Sequence, residues 1–241
     1  MNILDRIKAF FEPAPDRDVL VYLGVHRGKG LSRICGRYRK VYCFEANPKM
    51  AEKLRRRFAW RKYIEVVQAA VTGVDGTVTF NISSRNGAAS SVGKFAEDFP
   101  GVQSGQLFVS ESITVPSLDL NRFLCERGVS RISAYVSDIQ GYDLTVLKTM
   151  GTWIKEGRID EITSEVAKDR NIYGDLPDNS LQGFGMLLDA KYTLVAQGWS
   201  ILQDGVFAPP QGAWEMDCRW RLTSLNQIPW AQKRRTRWSA F

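Results

Sequence analysis

The chain has 241 residues, 44% of them hydrophobic, which is enough to bury the core of one large α/β domain. No apolar run approaches the ~18 residues of a membrane span, and charged side chains interrupt residues 1–8, where an export signal would be apolar. The four cysteines are scattered without a C-x-x-C pair, which excludes a dense disulfide framework and a zinc knuckle. We therefore predict a cytoplasmic protein with reduced thiols, no membrane span and no metal site.

The positive charge is unevenly distributed along the chain. The net charge is +7, but the segment from Arg27 to Lys62 has thirteen basic and two acidic residues, a net charge of +11. The simpler interpretation is a pair of solvated helix faces, and the alternative is a surface for nucleic acid or an acidic glycan. A second basic cluster at residues 233–237 is interpreted as part of a soluble basic tail over residues 226–241.

The first segment with a regular pattern precedes Pro13 and Pro15. Its apolar residues recur at helical spacing and predict a short amphipathic helix within residues 1–17. We expect this helix to dock on the protein body or on a partner subunit, so a homo-oligomer is possible. Binding at a membrane surface is the alternative.

The next segment resembles the start of a nucleotide-binding α/β unit. Residues 18–23 predict a buried strand, and the glycines Gly24, Gly28 and Gly30 follow it before a helical pattern. A second strand over residues 41–44 ends at Glu45, 21 positions after Gly24, where a carboxylate can bind ribose hydroxyls. The glycine order is G-x-x-x-G-x-G, not the G-x-G-x-x-G of dinucleotide binders, so we expect a ligand with one nucleoside and no diphosphate.

The middle of the chain alternates between regular segments and one long polar stretch. Asn47-Pro48 begins a helix, and residues 63–71 predict a third strand that ends at the small pair Ala69-Ala70. These small side chains leave room for a flat ring, or simply pack. Residues 77–82 predict an edge strand, and the small polar residues of 83–111 predict a lid or insertion on the substrate side.

The second half predicts further strands that deliver carboxylates. A strand over 132–137 is followed directly by Asp138, and a strand over 159–166 brings Glu165 to the same edge of the sheet. Asp138 there is either a site residue or the cap of the helix that follows Gly141. Other predicted elements are a strand over 113–115, helices over 120–126, 143–154 and 181–188, and an antiparallel pair of strands over 192–196 and 214–222.

These elements predict one α/β domain over residues 18–225. Strands alternate with helices and end in a hairpin, which is typical of a three-layer sandwich with a mostly parallel sheet and an antiparallel C-terminal edge.

Five segments of the chain resemble the FkbM-type S-adenosylmethionine-dependent methyltransferases. The segments are Tyr22-Leu-Gly24-Val-His26-Arg-Gly28, Phe44-Glu45-Ala-Asn-Pro48, Ala70-Val-Thr-Gly-Val-Asp-Gly76-Thr-Val-Thr-Phe80, Val136-Ser-Asp138-Ile-Gln-Gly141-Tyr-Asp143-Leu-Thr-Val-Leu147 and Glu165-Val166. The family has Asp, Asn and Lys where this chain has Tyr22, His26 and Val136. The resemblance implies a class I methyltransferase (Rossmann-like) fold and S-adenosylmethionine as the cofactor.

The resemblance also implies roles for individual residues. The Gly24–Gly28 backbone would face the methionine part, Glu45 would bind both ribose hydroxyls, and Gln68 to Ala70 would border adenine. The cofactor-binding residues implied are Tyr22, Gly24, His26, Gly28, Glu45, Ala46, Gln68, Ala69, Ala70 and Asp138. Asp138 is the first candidate for the catalytic base, followed by Glu165, Asp143 and His26. His26, the single histidine, is a base or a loop side chain that bonds backbone.

Together these features predict an O-methyltransferase that acts on a hydroxyl of a sugar, a glycan or another small metabolite. One alternative is a non-catalytic binding module with a weakened cofactor site, because Tyr22 and His26 depart from the family pattern. The other is an RNA methyltransferase that uses the basic segment, although the sequence contains no RNA-recognition motif.

Overall fold

The computed structural model describes residues 17–84, 87–168, 171–198, 205–206 and 214–226. The predicted N-terminal helix and the basic tail therefore lie almost entirely outside the described residues. None of the helices in these ranges has the length and hydropathy needed to cross a membrane.

Strands in the described ranges form two sheets. They are β1 (Arg17–Leu23), β2 (Tyr38–Phe44), β3 (Ile64–Val67), β4 (Ala70–Val71), β5 (Gly76–Ser83), β6 (Val109–Leu118), β7 (Ala134–Ser137), β8 (Glu161–Ala167), β9 (Tyr192–Gly198), β10 (Gly205–Val206) and β11 (Glu215–Leu222). Eight of them form the main sheet in the order β10-β9-β11-β8-β7-β1-β2-β3, and β4, β6 and β5 form a small second sheet.

The main sheet has the predicted mixture of parallel and antiparallel pairs. Five consecutive strands of the sheet, β8, β7, β1, β2 and β3, all run parallel to one another. Strand β11 is antiparallel to both β8 and β9. The prediction of a mostly parallel sheet with an antiparallel C-terminal edge is therefore confirmed.

Helices connect the parallel strands and cover both faces of the main sheet. They are α1 (Lys29–Ile34), α2 (Pro48–Phe58), α3 (Pro100–Gln103), α4 (Leu120–Glu126), α5 (Asp143–Thr149), α6 (Gly151–Lys155), α7 (Leu181–Leu188) and α8 (Thr223–Asn226). Helix α2 begins as predicted, because Asn47 accepts hydrogen bonds from the N–H groups of Lys49 and Met50 and Pro48 occupies the first turn.

The core has two main clusters because successive residues of a strand point to opposite faces of the sheet. On one face, Leu20 packs with Leu31 of α1 and with Leu54 and Phe58 of α2. On the other face, Val21 belongs to a larger cluster with residues of α4, α5, α6 and α7. The two helical layers and the sheet between them form the predicted three-layer sandwich.

The predicted third strand was wrong in its extent. Residues 63–71 do not form one strand, because β3 ends at Val67, where its carbonyl oxygen accepts the N–H of Glu45 at 3.1 Å. Strand β2 provides no further backbone partner there, and the chain crosses to the small sheet, where Ala70 pairs with Ser117. Ala69 and Ala70 consequently lie at the junction of the two sheets.

Two other segments differ from their predicted form. Residues 83–111 are more regular than a long loop, because they contain α3 and the start of β6, which pairs with β5. The helix predicted over residues 143–154 divides at Met150 into α5 and α6. Gly151 follows directly and is the weak point for helix continuity.

Replacing Phe184 tests the packing of α7 on the antiparallel edge. Its ring is fully buried and stacks on Trp220 with 5.2 Å between ring centroids. Phe184→Ala should lower the free energy of unfolding by about 3–5 kcal/mol, the usual effect of an aromatic-sized cavity. The measurement is the urea midpoint at unchanged slope.

Met186 provides the control on the same helix, because it is 78% exposed. Met186→Ala should change the free energy of unfolding by less than about 0.5 kcal/mol. Equal shifts for the two variants would contradict the packing of α7.

Candidate active site

A cavity of about 190 Å³ opens where β1, β2 and β7 end. Residues that directly follow these strands, Gly24, Glu45 and Asp138, line it together with part of the predicted lid. The remaining wall combines apolar side chains with a few polar ones: Phe44, Met50, Val71, Phe80, Ile139 and Tyr142, with His26, Asn47 and Gln140. Carboxyl ends of parallel strands are where α/β sheets bind ligands.

Glu45 is a buried carboxylate held by backbone donors. Its Oε2 accepts the N–H of His26 at 2.7 Å, and its Oε1 accepts the N–H of Asn47 at 2.9 Å. Burial raises the pKa of Glu45 above its ordinary value, while these two hydrogen bonds oppose the rise. Each oxygen has a second lone pair and can accept another hydrogen bond from a ligand in the cavity.

Gly24 allows the backbones of two strand ends to approach closely. Its φ is +74°, and its N–H donates to the Phe44 carbonyl at 3.0 Å. A Cβ at this position would lie 1.7 Å from the carbonyl oxygen of Asp138. A residue with a side chain there would push the end of β1 away from Asp138.

Two residues with side chains adopt the left-handed backbone region, and both line the cavity. Among the described residues other than glycine, positive φ occurs at His26, with 49°, and at Gln140, with 58°. Such backbone conformations are unfavourable for residues with a Cβ and concentrate at functional sites. The strain at His26 orients its N–H toward Glu45.

Gln140 joins two carboxylates at one end of the cavity. Its Nε2 donates to Asp138 Oδ1 at 2.7 Å and to Glu165 Oε2 at 2.6 Å. Two carboxylates this close to one nitrogen repel each other when both are charged, so protonation of one is favoured. Burial raises the pKa of both groups, and the Asp138 charge raises that of Glu165 further.

The same glutamine connects these carboxylates to the predicted lid. Its backbone carbonyl accepts the Ser91 hydroxyl at 2.7 Å. The Tyr173 hydroxyl lies 2.9 Å from Gln140 Oε1 and 3.0 Å from the Ala89 carbonyl oxygen, and its one proton serves one of these acceptors at a time. Lid and carboxylates therefore share one hydrogen-bonded network.

Strand β11 adds two acids beside this network. Asp217 lies opposite Glu165 in the antiparallel register. Burial and the neighbouring Asp138 charge raise the pKa of Asp217 to about 6 and that of Glu215 to about 8. This end of the cavity is consequently acidic.

The structure brings together most of the residues predicted for the site. Gly24, His26, Glu45, Ala46, Ala69, Ala70 and Asp138 line the cavity. Glu165 reaches it through Gln140, as described above. The other predicted site residues, Tyr22, Gly28, Gln68 and Asp143, lie outside the cavity wall.

These four residues have structural contacts instead. Tyr22 packs with the α1–α2 cluster of the core. Gly28 approaches Leu54 and Phe58, and the Gln68 amide lies 3.5 Å from the Ala46 carbonyl oxygen.

Asp143 is a fully buried anchor at the start of α5. Its Oδ1 accepts the Ser137 hydroxyl and, at 3.0 Å, the N–H of Ile139. Its Oδ2 is buried without a hydrogen-bond partner in the described part of the chain. Burial raises the pKa of Asp143 to about 7.

The sequence of the domain that carries this cavity matches one known family. A family model of the methyltransferase FkbM domain matches residues 23–175. The chain belongs to the FkbM methyltransferase family. A search of curated proteins returned no match.

Solved methyltransferase structures align with this chain at low sequence identity. The methyltransferase FkbM from Methylobacillus flagellatus KT has a TM-score of 0.51 and 14% identity, over 89% of this chain and 46% of that chain. An rRNA methylase from Streptococcus thermophilus has a TM-score of 0.48 and 10% identity, over 92% of this chain and 97% of that chain. Fibrillarin from Aeropyrum pernix, with natively bound S-adenosyl-L-methionine, has a TM-score of 0.44 and 13% identity, over 90% of this chain and 74% of that chain. At these identities the likeness concerns the fold alone, and this chain spans less than half of the first protein.

Sequence reasoning missed several residues around the FkbM cavity. Gln140 lies inside the motif around Asp138. Its position before a glycine does not indicate that its side-chain amide bridges two carboxylates. Ser91 and Tyr173 lie in segments without periodicity. The alternating pattern of β11 could have indicated Asp217, because it puts residues 215 and 217 on one face of the strand beside β8.

The pH dependence of stability tests the buried state of Asp143. The pKa of this carboxyl group is near 4 in the unfolded chain and about 7 in the folded protein. Its contribution to the free energy of unfolding is therefore fully present below pH ~4. This contribution is lost as the pH rises through 7, by about 1.4 kcal/mol per pH unit between the two values. The free energy of unfolding, measured with urea at pH 5 and pH 8, should fall less with pH in Asp143→Asn than in the wild type.

Asp189→Asn is the control, since Asp189 is exposed at the end of α7. It should retain the wild-type pH dependence. An Asp143→Asn variant with the wild-type pH dependence would show that Asp143 is charged in the folded protein.

Proposed function

We propose that the protein transfers a methyl group from S-adenosylmethionine to a hydroxyl of a sugar or another small metabolite. The observation that carries the proposal is the pairing of Glu45 and Asp138 on one cavity wall, joined by the close backbone contact at Gly24. One carboxylate suits the nucleoside of the cofactor, and the other suits the acceptor. Membership of the FkbM family supports the reaction class.

The cavity residues fit this cofactor. The two Glu45 oxygens each keep a lone pair after accepting a backbone N–H, which suits two vicinal ribose hydroxyls. Phe44, Phe80 and the small residues Ala69 and Ala70 would border the adenine ring. When bound, S-adenosylmethionine supplies a methyl group that its positive sulfur makes electrophilic. The acidic end of the cavity favours a cationic group electrostatically.

Asp138 is the proposed catalytic base. It orients the acceptor hydroxyl for in-line attack and accepts its proton. Gln140 keeps this carboxylate in place through its hydrogen bond to Oδ1, while Glu165 shares the same amide group. We assign His26 to the cofactor loop, because its main chain supports Glu45.

The predicted lid would contact the acceptor. Gly87, Ala88, Ser90 and Val92 line the cavity, so this segment would cover part of a bound ligand. Small side chains leave space for a bulky acceptor, and a closed lid excludes water from the methyl transfer.

Glu45→Gln tests the cofactor site. The amide lacks one acceptor and presents N–H groups to the backbone donors of His26 and Asn47. Since a hydrogen bond to a charged group contributes about 1.5–3 kcal/mol, the Kd for S-adenosylhomocysteine should rise about 10- to 100-fold. Titration calorimetry measures this change.

Glu52→Gln serves as the control, because Glu52 is exposed on α2. Its Kd should stay within about twofold of the wild type. If the wild type binds neither S-adenosylmethionine nor S-adenosylhomocysteine at millimolar ligand, the proposed function fails, and the result supports a non-catalytic binding module.

Asp138→Asn tests the catalytic base. The wild type is incubated with methyl-labelled S-adenosylmethionine and a panel of monosaccharides, oligosaccharides and small alcohols, and labelled products are identified by mass spectrometry. With an accepted substrate, kcat should fall about 10²- to 10⁴-fold in the variant, the usual contribution of a general base. The Kd for S-adenosylhomocysteine should change less than about threefold. Full activity in Asp138→Asn would remove Asp138 as the base.

A further inference from the structure

The outer surface of α1 and α2 carries a concentration of positive charge that the proposed reaction does not use. Six exposed cations define this surface, which we name the basic face. They are Arg27, Lys29, Arg33, Lys53, Arg57 and Lys62. Both helices pack into one buried cluster on the same side of the main sheet, so their outer surfaces face solvent side by side.

Helical spacing and one direct contact bring these cations together. Lys29 and Arg33 are four residues apart on α1, and Lys53 and Arg57 are four residues apart on α2, so each pair shares one helix face. The Arg57 guanidinium also donates to the Arg27 carbonyl oxygen at 3.2 Å, which connects α2 to the loop before α1.

Acidic side chains do not neutralise the basic face. Between residues 27 and 62 the two acids are Glu45 and Glu52. Glu45 lies in the cavity, and Glu52 pairs with Arg56 at 2.9 Å and with Arg55 at 3.9 Å. In the part of the chain that the structure describes, none of the six cations of the basic face forms an ion pair with a carboxylate.

An exposed aromatic ring lies at the end of α2 beside these cations. Trp60 is 60% exposed, and the Arg61 guanidinium lies 4.4 Å from its ring centroid. A single exposed ring is common on protein surfaces, and its contact with a cation is favourable. The exposed part of the Trp60 ring also offers a flat surface on which a base can stack.

We propose that the basic face binds a single-stranded nucleic acid, with phosphates against its six cations and a base stacked on Trp60. Phosphate contacts supply most of the sequence-independent affinity for nucleic acids. Stacking on an aromatic side chain is the sequence-tolerant second component. Charge and ring therefore match the two features of one ligand class.

A membrane surface matches these observations less well. Binding to a bilayer interface requires an extended apolar face beside the cations. The other large exposed hydrophobic residues in the described ranges are Val74, Phe108, Val109, Met186 and Trp214, and they belong to other elements. Trp60 alone does not provide such a face.

The basic face reaches the cavity. Asn47 and Met50, at the start of α2, line the cavity, and Lys53 and Arg57 follow on the same helix. A strand bound along α2 would therefore extend to the site. Binding to the basic face does not rest on the proposed methyl transfer, and it is measured without cofactor.

The experiment measures binding of a fluorescein-labelled single-stranded RNA of mixed sequence by anisotropy, with salt increased stepwise from 50 mM. The wild-type association constant should fall linearly on a log–log plot, with a slope of about −0.7 per phosphate contact. The Lys53→Gln, Arg57→Gln double variant should bind more weakly, by about fivefold or more, and its slope should be shallower by about 1.4. Trp60→Ala should lose about 5- to 100-fold in affinity and keep the wild-type slope.

The matched control is Lys148→Gln with Lys155→Gln. These two lysines are exposed on α5 and α6, on the other side of the sheet, and their loss changes the net charge equally. The control should bind RNA within about twofold of the wild type, because the effect of surface charge falls off beyond about 10 Å at 0.1 M salt. Circular dichroism verifies that every variant is folded.

Three outcomes would overturn the proposal. The first is no salt-dependent RNA binding by the wild type. The second is equal loss in the control and in the Lys53, Arg57 variant, which would indicate attraction by net charge alone. The third is tighter binding to phosphatidylserine vesicles or to a sulfated glycan than to RNA, with no effect of Trp60→Ala. Separate titration with S-adenosylhomocysteine distinguishes each of these from failure of the proposed methyl transfer.

Discussion

A buried carboxylate requires hydrogen-bond donors, and the way in which Glu45 obtains them organises the site. Its donors are the N–H groups of His26 and Asn47, which belong to the loops after β1 and β2. Removing either loop from its position would leave a charge in a poorly hydrated cavity, which is strongly unfavourable. The left-handed backbone at His26 is tolerated because this contact compensates for it. One side chain thus fixes the ends of two strands and the start of α2.

The second group of acids has a different physical basis. Asp138 and Glu165 depend on the side-chain amide of Gln140, and Asp217 lies directly opposite Glu165. Burial raises the pKa of both Glu45 and Glu165, but two backbone donors oppose the rise at Glu45, whereas the Asp138 charge adds to the rise at Glu165. One cavity therefore contains a fixed carboxylate for binding and a titratable pair suited to proton transfer.

The sequence predicted the fold and the strand-end residues well, because both depend on local pattern. Alternating strands and helices imply a parallel sheet, and residues that follow such strands meet at one edge, which located Glu45 and Asp138. Pairing partners are not local. Ala70 leaves the third strand because Ser117, far along the chain, offers the available backbone groups. Tyr22 likewise falls in a site motif, yet strand alternation turns it toward α1 and α2.

The two charged regions of the molecule differ in where their charges lie relative to the cavity. Cations of the basic face, such as Lys53, are exposed, and salt limits their influence to about 10 Å at 0.1 M ionic strength. Asp138 lines the cavity and Glu165 reaches it through Gln140, so these acids act on the cavity at short range. Those acids therefore give this end of the cavity an acidic character, although the chain as a whole is positively charged. A basic protein can in this way present cations to a polyanion and an anionic cavity to a cationic cofactor.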